Sequence, residues 1–144
     1  MTNQRAPKLC LTCGKGTFSR FARAGRTEMY KGYAYELPAD LVLKECSVCG
    51  EIPMTPAEID RVSDVLEELH RARLTSAATR AIDTLVREAA PVSKIEASLR
   101  LSPGYLSRIR SGASEPSFQL VALLALLARS PKILIDLDEV VTST

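Results

Sequence analysis

The chain has 144 residues, 46% apolar and 25% charged, with a net charge of +2. That is room for one ordinary domain or two small ones with packed cores, which excludes a large single-domain enzyme, a fibrous protein and a broadly disordered one. One histidine leaves little material for acid–base chemistry near neutral pH, so no enzymatic activity is expected. The charge is uneven along the chain: residues 56–74 hold three basic and five acidic groups, whereas 91–114 set Lys94, Arg100, Arg108 and Arg110 against Glu96 alone.

Residues 1–8, MTNQRAPK, lack the apolar stretch of a secretory signal, and the longest apolar run, 120–128, is nine residues against the roughly 20 needed to span a bilayer. A cytoplasmic protein with no membrane partner is expected. Thiols stay reduced there, so four regularly spaced cysteines point to metal before disulfides. Cys10-Leu-Thr-Cys13-Gly14 and Cys46-Ser-Val-Cys49-Gly50 are matching halves. The two-residue gap lets both thiolates of each half reach one ion, and the glycine that follows permits a tight turn at positive φ. Four thiolates close a tetrahedral shell, which predicts one structural Zn2+ per chain on Cys10, Cys13, Cys46 and Cys49, with His70 not required. Two CxxC units without a βαβ pattern speak against a redox pair.

The 32 residues between the knuckles exceed the usual spacing of about 15 to 20. Short strands at 17–23, 28–30, 33–37 and 41–44, broken by Ala24-Gly25, Lys31-Gly32 and Pro38-Ala39-Asp40, account for the excess as a ribbon with an extra hairpin. A first domain, 1–55, has too small a core to fold without its metal.

Thr55-Pro-Ala-Glu58 is a capping box, and Ile59, Val62, Leu66 and Leu69 recur at helical spacing, predicting a helix over 56–73 in a connecting segment, 56–74. The acidic remainder reads as a solvated face, and the narrow apolar stripe also matches a short coiled-coil seam for a partner or second copy.

In the third segment, 75–144, Ala78, Ile82, Leu85, Val86 and Ala89 form an apolar helical face that Pro91 ends, and a short helix follows over 93–99. In Leu101-Ser-Pro-Gly-Tyr-Leu-Ser-Arg-Ile-Arg-Ser-Gly112, Ser102 reads as the cap, Pro103 as the first helical residue and Gly112 as the stop. Leu106 and Ile109 face inward. The pair has the arrangement of a helix-turn-helix, with Ser93, Lys94, Ser102, Tyr105, Arg108 and Arg110 as candidate contacts to duplex DNA. Ser117 caps a very apolar helix through 127, expected inside the domain or at a dimer contact, and Ile133, Leu134, Ile135 and Leu137 precede the acidic Asp136, Asp138 and Glu139.

The order CxxCG, hairpin, CxxCG, capped helix, helix-turn-helix resembles the YgiT or MqsA family of type II antitoxins over nearly the whole chain. The resemblance implies an α+β fold: a small zinc ribbon, a connecting helix and an all-α helix-turn-helix domain of phage-repressor type. It puts the family's zinc ligands on Cys10, Cys13, Cys46 and Cys49, and its base-reading arginine on Arg108. The base-reading asparagine of the family corresponds to Gly104, which has no side chain to pair with adenine. Many such domains have glycine in the turn and a small residue midway along the first helix, where this chain has Arg100 and Glu96, so tight docking of the two helices does not carry over from the resemblance. The function implied is twofold: the zinc domain neutralises a toxin, commonly an RNA-cleaving enzyme, and a homodimeric C-terminal domain represses the chain's own operon. Tyr30, Tyr33 and Tyr35 on the hairpin, with Glu67 and Glu68 on the acidic helix, are the expected toxin contacts. The alternative is a stand-alone zinc-containing repressor without a toxin partner.

Overall fold

The computed structural model describes residues 8–137, so Asp138 and Glu139 lie outside the described residues. Four strands, β1 (Phe18–Phe21), β2 (Thr27–Tyr30), β3 (Tyr33–Glu36) and β4 (Leu43–Cys46), precede five helices: α1 (Pro56–Glu88), α2 (Val92–Ser98), α3 (Tyr105–Arg110), α4 (Phe118–Arg129) and α5 (Pro131–Ile135). The chain is α+β and divides into two compact units between Leu69 and His70, within α1. No described helix is long and apolar enough to cross a membrane.

In the first unit β1 pairs antiparallel with β4, Phe18 opposite Cys46 and Phe21 opposite Leu43. The strands are far apart in sequence because the β2–β3 hairpin is inserted between them, with Tyr30 opposite Tyr33 around a Lys31-Gly32 turn. Both turn residues take positive φ, 47° and 83°, as a two-residue hairpin turn matched to the strand twist requires. This insertion accounts for the long gap between the knuckles. Arg26 donates to the Leu41 carbonyl and Arg61 to that of Val42 at 3.0 Å, pinning the turn before β4.

The core of this unit joins Tyr35, Leu37 and Leu43 to Val62 and Leu66 of α1, with Tyr30, Tyr33, Leu41, Ile52, Val65 and Leu69 packed around them. The stripe that matched a coiled-coil seam is thus largely consumed by the unit's own core. Ile59, 48% exposed, is left out of it. The capping box forms: Glu58 Oε2 accepts from the Thr55 amide and hydroxyl, both at 2.9 Å, and the Glu58 amide donates to Thr55 Oγ1 at 3.3 Å.

The helix expected to stop near residue 73 continues to Glu88. From Ala57 to Ala90 there is neither glycine nor proline, so nothing in the backbone interrupts it, and the Ser76 hydroxyl oxygen accepts from Arg80 Nη1 at 2.6 Å. The second unit buries Ala78, Ala81, Ile82 and Leu85 of α1 with Ile95, Leu106, Ile109, Val121, Leu124, Leu127 and Leu134. Val86, expected on that face, is 40% exposed. Ser117 caps α4 as expected, accepting from the Leu120 amide at 3.2 Å. The helix buries only one side, leaving Phe118, Leu123 and Leu126 exposed beside Ile133 and Ile135 of α5.

Candidate metal centre and candidate nucleic-acid interface

The two knuckles have the same local build. The Gly14 amide donates to the Cys10 carbonyl at 2.8 Å and the Gly50 amide to that of Cys46 at 3.1 Å, closed by glycines at φ 65° and 74°. The β1–β4 ladder brings the knuckles together, extended by Ser47 N to Thr17 O at 3.0 Å. All four sulfurs lie within 4.8 Å of one another. Cys10 and Cys49 Sγ are 3.7 Å apart, as are Cys13 and Cys46 Sγ. Disulfides need about 2.05 Å. Four thiolates each about 2.3 Å from one tetrahedral ion sit about 3.8 Å apart. The donor set therefore fits a metal ion, and the four cysteines are positioned to bind one.

Backbone amides tune the sulfurs. Gly16 N donates to Cys13 Sγ at 3.4 Å and Val48 N to Cys46 Sγ at 3.5 Å. The Lys15 and Gly16 amides hold the Cys13 thiol at about 6. The Cys10 thiol is also lowered, chiefly by the Cys13 amide. At Cys49 the Glu51 amide pulls downward, but burial and the sulfurs of Cys46, Cys10 and Cys13 outweigh it and leave the thiol at about 12. Sulfurs this close share their titration, and the last resists ionising unless a cation joins them.

Gly16 is a sterically constrained position beside the cysteines that spacing alone does not reveal. A Cβ there would lie 2.2 Å from Cys46 Sγ and 3.2 Å from the Val48 backbone nitrogen, so the floor of the site admits only glycine. In the sequence it stands out only as part of Gly14-Lys15-Gly16, which lacks the spacing of a phosphate-binding loop.

The three hairpin tyrosines face inward. Tyr35 is a core residue, 7% exposed, its ring edge-on to Tyr33 at 6.4 Å, while Tyr30 and Tyr33 are half-buried. Met29, 67% exposed, occupies the outer face. Glu67 and Glu68 are exposed on α1.

In the second unit the short helices α2 and α3 are joined by residues 99–104. Helix α3 begins at Tyr105, with Gly104 at φ 77° as its N-cap, two residues later than the expected start. Ser102 does not cap it; its carbonyl accepts from the Tyr105 amide at 3.1 Å in the preceding turn. Gly112, at φ 77°, ends the helix as expected, with Gly112 N bonded to Ile109 O at 3.0 Å and Ala113 N to Arg108 O at 2.8 Å. Leu106 and Ile109 are fully buried. Ser93, Lys94, Ser102, Arg108 and Arg110 are exposed and Tyr105 is half-buried. The Arg108 guanidinium lies 5.9 Å from the centre of the Tyr105 ring. Arg110 differs from Arg108 in being tied back to Asp83 of α1 at 2.8 Å.

Glu96, whose effect on the helix pair the sequence leaves open, is 4% exposed, and its carboxylate bonds the start of α3: Gly104 N donates to Oε2 at 2.9 Å and Leu106 N to Oε1 at 2.8 Å. Arg100 meets the conformational demand usually left to glycine by adopting φ 54°.

No curated protein matches the chain. A family model described as the antitoxin component of a bacterial toxin-antitoxin system, MqsA, matches residues 8–138. That span takes in all four clustered cysteines and all five described helices, and the chain belongs to the MqsA antitoxin family.

Proposed function

We propose that the chain is the antitoxin of a type II toxin-antitoxin pair that neutralises its toxin, an RNA-cleaving enzyme, through the first unit and represses its own operon through the second. The observation that carries this reading is the family match across both units, with the four-cysteine cluster intact in the first. The metal is one zinc ion per chain held by Cys10, Cys13, Cys46 and Cys49. Four protein ligands leave no position for substrate, so its chemistry is structural: it fixes the two knuckles to each other.

Toxin contact falls to the β2–β3 hairpin and the exposed acidic positions Glu67 and Glu68. The hairpin's outer strand edges offer backbone groups to an added strand, and the exposed rims of Tyr30 and Tyr33 supply amphipathic surface with Tyr35 supporting them from beneath. DNA contact falls to Ser93, Lys94, Ser102, Tyr105 and Arg108 on α2, α3 and the turn between them, in the manner of a helix-turn-helix. Arg110 joins only by exchanging an exposed ion pair with Asp83, a small cost. The uncovered aliphatic side of α4 and α5 is the surface for a second copy, which a two-fold operator requires.

The test is co-expression of the full chain with the product of the adjoining gene. Restored growth and copurification of the two proteins are expected. A chain that binds the upstream DNA but neither protects nor copurifies contradicts the antitoxin reading.

A further inference from the structure

Helices joined by a short turn hold a fixed angle only if the turn and the first amides of the second helix are satisfied, because those amides have no acceptor within the helix itself. An N-cap side chain commonly supplies one. Gly104 has no side chain to give. Glu96, in the middle of α2, supplies both: Oε2 accepts from Gly104 N and Oε1 from Leu106 N, at 2.9 and 2.8 Å. The same residue's carbonyl accepts from Leu101 N at 2.8 Å, so Glu96 clasps the turn with its main chain and the next helix with its side chain. It is 96% buried, shielded from competing water. The positive-φ Arg100 lies inside this clasp.

We propose that Glu96 is a positioning residue for DNA recognition: its buried carboxylate fixes the angle of α3 on α2 and thereby the reach of Arg108. This rests on the reading of α2 and α3 as the DNA-binding pair. Because the carboxylate takes the Gly104 and Leu106 amides, contact with DNA near the start of α3 is left to side chains, Tyr105 and Arg108, and to Arg108 above all, since Gly104 offers none.

The experiment uses the full, metal-loaded chain and two duplexes of equal length, one carrying the DNA upstream of its own gene and one scrambled. Glu96→Gln keeps the size and one acceptor but turns an NH2 group toward the second amide. At a temperature where circular dichroism shows it folded, its preference for the upstream duplex is expected to fall about tenfold, with more lost in Glu96→Ala. Affinity for the scrambled duplex, set by phosphate contacts such as Lys94, stays within about twofold. A merely structural role would lower the melting temperature and leave the preference intact, and that result overturns the proposal. If the wild-type chain has no preference, the DNA-binding reading itself fails, and this inference with it. Amide hydrogen exchange in the wild-type chain provides a check independent of whether any variant folds. Gly104 and Leu106 are expected to be as protected as amides inside α1, and free exchange at both overturns the proposal.

Discussion

Gly16 and Arg108 carry the most exposed predictions at the residue scale. Gly16→Ala forces a methyl group to within 2.2 Å of Cys46 Sγ. With a backbone nitrogen also at 3.2 Å the chain has nowhere to yield, so metal affinity is expected to fall about 10- to 100-fold or more. Elemental analysis of purified protein, or the thiolate-to-metal absorption of a cobalt-loaded sample, reads the loss directly. Arg108→Ala is expected to cost about 1 to 3 kcal/mol on the upstream DNA and to relax base preference at one position, whereas Lys94→Ala weakens binding to all sequences and flattens the salt dependence. Comparable losses on upstream and scrambled duplexes for Arg108→Ala would show that Arg108 reads no base. The cysteines were legible in the sequence because each knuckle is a local pattern. Gly16 was not, since its reason for being glycine lies 30 positions away at Cys46. Glu96 is opaque in the sequence for a similar reason: its partners are eight and ten residues on.

At the scale of elements, the capping box sets the start of α1. Thr55→Ala is expected to cost about 1 kcal/mol in thermal or denaturant unfolding. The Thr55 amide and then its hydroxyl hold the Glu58 carboxyl below its ordinary value of 4.5. A folded-state value below the unfolded one means the contribution is full above the ordinary value and is lost as pH falls through the depressed one. The difference in melting temperature between wild type and Glu58→Gln should therefore be present at neutral pH and shrink as pH drops below 4.5. A difference independent of pH would place the effect in packing. The start of α1 was legible because a capping box is local, but its end was not. The apolar face from Ala78 onward reads in sequence as a separate helix, yet with no glycine or proline between Ala57 and Ala90 nothing divides it from the first. The β1–β4 pairing was equally hidden, because the strand alternation announces the hairpin and not which strands flank it. Helix α4 shows the converse: its apolar residues all round left two readings open, burial or a dimer contact, and the structure buries Val121, Leu124 and Leu127 while leaving Leu123 and Leu126 exposed. Leu126→Glu is expected to leave the fold intact and convert a dimer to a monomer in analytical ultracentrifugation. A monomeric wild-type chain would remove that face from the account.

For the molecule as a whole, the proposed function gives each unit one task, toxin capture to the unit with the four cysteines and DNA binding to the helical unit. The two units have separate cores, and the four clustered cysteines all lie in the first. A core as small as that of the first unit leans on its metal, so removing the ion should disable one task and spare the other. The full chain can be treated with a chelator strong enough to strip zinc from four thiolates, then assayed side by side for binding to the product of the adjoining gene and to the upstream duplex. Toxin binding is expected to be lost and to return when zinc is restored, while DNA affinity changes by no more than about twofold. Toxin binding that survives complete removal of the metal, or DNA binding lost in step with it, would contradict the division of labour.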